Sequence, residues 1–266
     1  MLQAFDGGAV FGARWGGEPG GRDGGAPVVV ALHGWARSHA DFGGVLGPAA
    51  PRGALPSLAL DLPGFGASPA PAEPWGSEAY ADAVVRVIEG PGGPAAPVVL
   101  VGHSLGGRVA VRLAAARPDL VAGLVLCGAP VGPRVRPRAR PAPGFRAVRR
   151  LHRMGLVGAG TMERARQRYG SADYRAASGV MRQVLVRLVD EDYAAAVASL
   201  RCPVELVWGD DDMAVPLAVA RSLAATIPGA HLTVCHGAGH ILPVTAPADL
   251  RAAVERLVPS RDVPAG

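Results

Sequence analysis

Residues 98–115, VVLVGHSLGGRVAVRLAA, constrain the fold of this chain more than any other stretch. An apolar run leads into Ser104, which stands in the pattern G-x-S-x-G, and a helical pattern follows. Glycines beside the serine relieve the crowding of an abrupt strand-to-helix turn and leave the serine oxygen at its tip. The stretch therefore predicts a strand, a sharp bend carrying a hydroxyl group, and a helix.

Short apolar runs recur along the chain and alternate with helical patterns. Since the runs are apolar on both faces, they favour buried parallel strands. The strand candidates are 28–32, 57–61, 98–102, 124–128, 204–209 and 231–235. The helix candidates are 38–49, 77–89, 105–117, 216–226 and 247–258. The alternation predicts an α/β fold with a mostly parallel sheet flanked by helices. The first 26 residues predict an antiparallel hairpin at one edge, ending in a glycine-rich loop.

Residues 131–199 interrupt this alternation. They contain no convincing strand and begin with a stretch rich in proline and arginine. Their later part has helical periodicity, with one face formed by Val180, Val184, Leu185 and Leu188. We predict a helical lid inserted into an α/β core that is formed by residues 1–130 and 200–266.

The formal net charge of +5 raises the question of a nucleic-acid partner. The chain contains no lysine, so all 27 basic residues are arginine, and alanine, glycine and proline are abundant. This pattern indicates a compositional bias. Aromatic residues are sparse and no nucleic-acid-binding motif occurs. We therefore expect no nucleic-acid partner.

The predicted lid is strongly cationic. Fourteen of the 27 arginines lie between Arg134 and Arg187, where the acids are Glu163, Asp173 and, just beyond, Asp190. Such a charge can steer an anionic substrate or partner. The alternative interpretation is a solvated surface that reflects the arginine bias.

The cysteines and the N-terminal region indicate the compartment. Cys127, Cys202 and Cys235 lie in or beside apolar runs, without metal-site spacing, so we expect buried free thiols. The first residues have neither a basic start nor a continuous apolar segment, and no stretch of 18 apolar residues occurs. We expect a cytoplasmic protein without a membrane partner; the oligomeric state stays open.

A serine hydroxyl becomes nucleophilic when a neighbouring base removes its proton, and a carboxylate fixes the tautomer of that base. Three aspartates, Asp210 to Asp212, follow the run VELVWG, and His236 and His240 follow the run HLTVC. Both groups lie beyond the carboxyl ends of predicted parallel strands, where such sheets gather active-site residues. For Asp210 and Asp211, capping of the next helix is the alternative role.

Five other histidines are weaker candidates for the base. His33 and His103 belong to the two turns and are expected to make structural hydrogen bonds. His39, His152 and His231 fall on a predicted helix, the lid and a strand start, and we assign them no role.

Several motifs together resemble the α/β-hydrolase fold family, close to its esterases, C–C hydrolases and cofactor-free haloperoxidases. The matching residues are HGW at 33–35, DLPGFGAS at 61–68, GHSLGG at 102–107, WGDDDMAVP at 208–216 and GAGH at 237–240. They span most of the chain except the predicted lid.

The resemblance implies the roles of the site residues. Ser104 would be the nucleophile and His240 the base. The acid of a W-G-x-x-D pattern would be Asp212, with Asp211 as the alternative. The oxyanion would be bound by two backbone N–H groups, those of Trp35 and Leu105.

The function predicted is that of a serine hydrolase acting on a small ester-like or other activated carbonyl compound. This chemistry needs no cofactor and no metal ion, and we expect neither. Three alternatives stay open: a C–C bond hydrolase, a perhydrolase, and a non-catalytic ligand-binding protein that retains the three residues.

Overall fold

The computed structural model describes residues 2–16, 29–94, 96–133 and 142–258 and contains an eight-stranded sheet. The strands are β1 (Leu2–Phe5), β2 (Val10–Trp15), β3 (Val29–Leu32), β4 (Ser57–Asp61), β5 (Val98–His103), β6 (Val121–Cys127), β7 (Val204–Gly209) and β8 (His231–Cys235). They lie in the order β1-β2-β4-β3-β5-β6-β7-β8. β2 is antiparallel to β1 and β4, and the remaining neighbours are parallel.

The predicted mostly parallel sheet with a hairpin at one edge is confirmed. The glycine-rich loop predicted after the hairpin falls largely on residues 17–28 and lies outside the described residues. The helices are α1 (Gly43–Leu46), α2 (Ser77–Glu89), α3 (Leu105–Ala116), α4 (Pro143–Arg153), α5 (Ala159–Tyr169), α6 (Ala172–Ala176), α7 (Gly179–Asp190), α8 (Ala194–Ala198), α9 (Leu217–Thr226), α10 (Leu242–Thr245) and α11 (Pro247–Leu257).

Helices cover both faces of the sheet, as the continuous apolar runs predict. In β3, Val30 and Leu32 face a core shared with α2, α3 and α9. Val29 and Ala31 face the opposite core, which includes residues of α1 and α11. Because successive side chains of a strand point to opposite faces, a strand between two cores is apolar at every position.

The predicted helix 38–49 is largely wrong. The chain forms a 3-10 turn over His39–Phe42 and one turn of α-helix, α1, which ends at Leu46 and is followed by Gly47. Glycines at 43, 44 and 47 lower helix propensity, and Pro48 has no N–H group to continue the hydrogen bonding. The segment is therefore too rich in glycine for a long helix. It is held against the sheet by core contacts of Phe42, Val45 and Leu46.

Strand β6 begins earlier than predicted. Its pairing with β5 starts at Val121, three residues before the predicted start, and it ends at Cys127. The earlier residues include Gly123, which is depleted in strands. Pairing with a central strand overrides that local preference.

Five helices, α4 to α8, lie between β6 and β7, and the described residues of this region contain no strand. Of the four residues on the predicted apolar face of α7, Val184 and Leu188 are buried, whereas Val180 and Leu185 are half-buried. The start of the predicted lid, residues 134–141, lies outside the described residues. The division of the chain into core and lid stays a prediction.

Burial of the cysteines follows the sequence in two of three cases. Cys127 and Cys235 are buried free thiols, whereas Cys202 is half-buried. Burial raises the pKa of Cys235 to about 12 and also raises that of Cys127.

Among the helices of the described residues, none has the length and hydropathy needed to span a bilayer.

Replacing Leu100 by alanine is expected to destabilise the fold by about 2–5 kcal/mol, because the side chain is fully buried in the central strand β5 and leaves a cavity. Urea unfolding gives the change in free energy. The control is Leu156→Ala, at a side chain that is 64% exposed, with a change within about 0.5 kcal/mol. Equal effects of the two substitutions would contradict the assignment of β5 to the core.

Candidate active site

Ser104 stands at the tip of a one-residue turn between β5 and α3. Its φ of 50° and ψ of −106° lie in a region that non-glycine residues rarely adopt. The Ser104 N–H donates to the Cys127 carbonyl at 3.0 Å, which ties the turn to the neighbouring strand. Backbone strain of this kind persists where the surroundings impose it and is frequent at active sites.

Two glycines make the turn possible by allowing close backbone approach. A methyl group at Gly102 would lie 2.6 Å from the Gly106 oxygen, and one at Gly106 would lie 2.0 Å from the Leu32 oxygen. The N–H of Gly106 donates to the His33 carbonyl at 3.0 Å. The start of α3 is therefore packed directly against the end of β3, and only glycine fits at both positions.

His240 lies in the loop that follows β8, and its ring faces the serine. Its Nε2 is 3.1 Å from the Ser104 Oγ, and its Nδ1 is 2.7 Å from the Asp212 Oδ2. The carboxylate can only accept a hydrogen bond, so Nδ1 carries the ring proton in the neutral imidazole. Nε2 is then free to accept the serine proton. The three side chains thus form one continuous hydrogen-bonded chain.

Asp212 lies in the loop that follows β7, and its side chain is fully buried. Its second oxygen, Oδ1, accepts hydrogen bonds from the N–H groups of Ala214 at 2.9 Å and Val215 at 2.7 Å. These bonds fix the carboxylate, so that Oδ2 points at His240. A carboxylate held this way orients the imidazole and stabilises its charged form.

The neighbouring aspartates face elsewhere. Asp210 is exposed and binds Nδ1 of His236 at 2.8 Å and the N–H of Gly237 at 2.8 Å. The hydrogen bond from His236 is the main cause that lowers the pKa of Asp210. The side chain of Asp211 is exposed. The sequence alone leaves three aspartates and two histidines as candidates, and the structure brings Asp212 and His240 together with Ser104.

Leu105 follows Ser104 directly, and Trp35 follows Gly34, which lies close to Ser104. A methyl group at Gly34 would lie 3.3 Å from the Ser104 Cβ, so the turn that carries Trp35 lies against Ser104. Leu105 is the first residue of α3, and the first N–H groups of a helix have no intrahelical partner. The indole of Trp35 packs edge-on against Phe65, with ring centroids 4.9 Å apart.

Several histidines have structural partners. His33 is buried, its Nε2 accepts from the Leu62 N–H at 3.0 Å, and burial is the main cause that lowers its pKa. His39 pairs with Asp61 at 2.9 Å and His231 with Glu205 at 3.0 Å. Sequence reasoning missed these two pairs, because each joins residues more than twenty positions apart and no local pattern marks them.

A cavity of about 490 Å³ adjoins the site. Its wall includes Arg108, one turn after the serine in α3, and Met213 and Val215, directly after Asp212. Tyr193, beyond the end of α7, also lines the cavity. Within the described ranges, no group of three or more His, Cys, Asp or Glu side chains has an arrangement that could hold a metal ion.

Comparison with known proteins adds independent findings. Residues 29–253 match the alpha/beta hydrolase family. The chain is 32% identical over 255 residues to a pimeloyl-[acyl-carrier protein] methyl ester esterase of Aromatoleum aromaticum, which covers 87% of this chain and 98% of that protein. It is 32% identical over 232 residues to the protein of the same name in Chromobacterium violaceum, covering 80% of this chain and 87% of that protein.

Solved structures show the same fold. An esterase (EaEST) from Exiguobacterium antarcticum matches with a TM-score of 0.70 at 19% identity, covering 97% of this chain and 98% of that one. A serine hydrolase involved in carbazole degradation (CarC) matches with a TM-score of 0.69 at 20% identity, covering 97% of this chain and 98% of that one. At these identities the likeness concerns the fold.

Proposed function

The chain belongs to the alpha/beta hydrolase family and is an enzyme of the esterase type, and we propose that it cleaves a small ester-like or other activated carbonyl substrate through an acyl-enzyme on Ser104. The observation that carries this proposal is the continuous contact of Ser104, His240 and Asp212, which come from three separate loops. The alternative of a non-catalytic binding protein gives no reason for such an alignment.

In the first half of the reaction, the Ser104 Oγ attacks the carbonyl carbon of the ester while its proton passes to Nε2 of His240. Asp212 holds the opposite ring nitrogen and stabilises the imidazolium that forms. The tetrahedral intermediate collapses, and the alcohol leaves with the proton that His240 returns. An ester between the acyl group and Ser104 remains.

The negative charge of the intermediate needs fixed hydrogen-bond donors. The backbone N–H groups of Trp35 and Leu105 are suited to this role, because Trp35 belongs to the turn that lies against Ser104 and Leu105 begins a helix. Donors held by the backbone cost no reorganisation during the reaction. Loss of one such donor typically raises the barrier by about 3–4 kcal/mol.

In the second half, water takes the place of the alcohol. His240 accepts a proton from the water, which attacks the acyl carbon. When the second tetrahedral intermediate breaks its bond to Ser104 and releases the acid, His240 returns this proton to the serine oxygen and restores the hydroxyl. The cycle consumes one water and one ester and yields an acid and an alcohol. No metal ion or cofactor takes part in these steps.

Residues 131–199 act, in this proposal, as a lid over the site. Met181 of α7 packs against Gly64, in the turn that also carries Phe65, the ring partner of Trp35. Tyr193 and the end of α7 line the cavity beside the site. Side chains of the lid therefore limit the space that is available to the substrate.

A stripe of four arginines on α4 supports an anionic substrate. Arg146, Arg149, Arg150 and Arg153 are spaced so that they share one helix face, and all are exposed. Glu163 of the adjacent helix α5 pairs with Arg166 and Arg182 rather than with these side chains. Like charges at this spacing destabilise a helix slightly, and an anionic ligand would offset that repulsion. We call this set the arginine stripe.

The names of the curated relatives make the proposal more specific. They describe hydrolysis of a methyl ester on an acyl group bound to a carrier protein. A carrier-bound or otherwise anionic methyl ester is therefore the substrate that we propose to test first, beside neutral esters, lactones and ring-cleavage dienes.

A fluorophosphonate probe is expected to label the wild-type protein at Ser104, because the probe reacts with a serine activated by a base. The Ser104→Ala variant is expected to show neither labelling nor ester hydrolysis, and mass spectrometry of the adduct identifies the residue. A Ser199→Ala variant, altered at a hydroxyl bonded within its own helix turn, serves as the control. Folded wild-type protein that resists the probe and hydrolyses no ester overturns the proposal.

The acid is tested by Asp212→Asn and Asp211→Asn. The first is expected to lower kcat by about 10³- to 10⁴-fold, because an amide at this position favours the wrong tautomer of His240. The second is expected to leave kcat within about twofold, since the Asp211 side chain is exposed. Steady-state kinetics on one ester decide between them, and the reverse order of effects would assign the acid to Asp211.

If the arginine stripe steers anionic substrates to the site, kcat/KM for such substrates depends on the salt concentration. The kcat/KM for an anionic ester is expected to fall several-fold between low and about 0.3 M ionic strength, more than for a neutral ester. Arg149→Gln/Arg150→Gln is expected to remove most of that difference. The control, Arg52→Gln/Arg221→Gln, changes the net charge equally at exposed positions outside the stripe. Equal salt dependence in both double variants would contradict steering by the stripe.

A further inference from the structure

His103, the residue before Ser104, is a buried side chain that the proposed mechanism does not use. It is 1% exposed, and its ring centroid lies 5.0 Å from that of His240. Its Nε2 is 2.8 Å from the backbone carbonyl oxygen of His240. A carbonyl oxygen only accepts, so Nε2 carries the proton and donates. The ring is thereby bonded to the loop that presents the catalytic imidazole.

The opposite edge of the same ring lies against the turn that carries Trp35. A methyl group at Gly34 would lie 2.7 Å from Nδ1 of His103 and 2.9 Å from its Cε1. Only glycine leaves room for the ring at this place. His103 therefore contacts the loop that carries His240 and the turn that carries Gly34 and Trp35. It is also covalently joined to Ser104.

Nδ1 of His103 is buried and has no hydrogen-bond partner within the described part of the chain. A buried polar atom without a partner normally lowers the stability of the folded protein, so we expect a function of the His103 ring that offsets this cost. A second proton on the ring would sit on Nδ1, against Gly34, without an acceptor. The ring therefore acts as a neutral donor through Nε2.

The pKa of the His103 ring agrees with this geometry. Burial, followed by the nearby His240, lowers the pKa of His103 from 6.5 to about 4. The unfolded chain thus binds this proton at higher pH than the folded protein does. The contribution of the neutral ring to stability is present above about pH 6.5 and is lost as the pH falls towards 4.

We propose that His103 is a positioning residue, which fixes the His240 loop and the Gly34 turn at the separation from Ser104 that the reaction needs. The inference rests on the proposed acyl-enzyme function. A structural filler would need only the volume of the ring, whereas positioning needs a donor at the place of Nε2. The two roles therefore differ in what a substituted side chain must supply.

The test compares three substitutions at position 103. In His103→Gln the longer amide can bring its nitrogen to the place of Nε2, whereas in His103→Asn the shorter amide stops one bond earlier. His103→Leu removes the donor altogether. We expect the Asn and Leu variants to lose about 10- to 100-fold in kcat with KM within about threefold, because small misplacement of reacting groups has that cost. The Gln variant is expected to regain most of the lost kcat.

The rate of fluorophosphonate labelling gives a second readout, and it is expected to follow kcat through the series. The Gln and Asn pair decides the question if the Leu variant fails to fold. Equal kcat in Gln and Asn, or a Leu variant with wild-type kcat, overturns the inference while leaving the acyl-enzyme proposal intact. Wild-type protein that neither labels nor hydrolyses esters removes the proposed function itself, so the two failures are distinguishable.

Discussion

At Ser104 the chain turns from a central strand into a helix within one residue, with a left-handed backbone angle that its side chain disfavours. The turn persists because the start of α3 is packed against β3 more closely than any side chain would allow, through Gly102 and Gly106. Backbone hydrogen bonds to Cys127 and His33 fix it in place. The rest of the site is arranged around this one rigid point.

The parallel sheet explains why residues from distant parts of the sequence meet there. The strands β3, β5, β6, β7 and β8 run in the same direction, so their carboxyl ends lie along one edge. The loops after β7 and β8 bring Asp212 and His240 to that edge, and the turn after β3 brings Trp35. Topology supplies the approach of these loops. Buried hydrogen bonds, such as those from Ala214 and Val215 to Asp212, supply the orientation.

Electrostatics divide the molecule into two functional parts. Inside, the single buried carboxylate of the site is fully hydrogen-bonded, and the neighbouring His103 ring stays neutral. Outside, the arginine stripe of α4 leaves its charge in solvent. Interior groups set the chemistry, since charge is costly there and must be placed with care. Surface charge acts at longer range, and in the proposed function it steers anionic substrates towards the site.

The sequence by itself determined the strands, most helices of the core and the turn at Ser104, since apolar periodicity and glycine act locally along the chain. It missed the interruption of the helix at 38–49, where glycines compete with a helical pattern, and the early start of β6, which sheet pairing imposes. The family resemblance implied Asp212 as the acid with Asp211 as the alternative, and only the tertiary structure showed that Asp212 faces His240 and what His103 contacts. These choices depend on where separate loops meet, and no short-range pattern records the distance between side chains that are 28 or 137 residues apart.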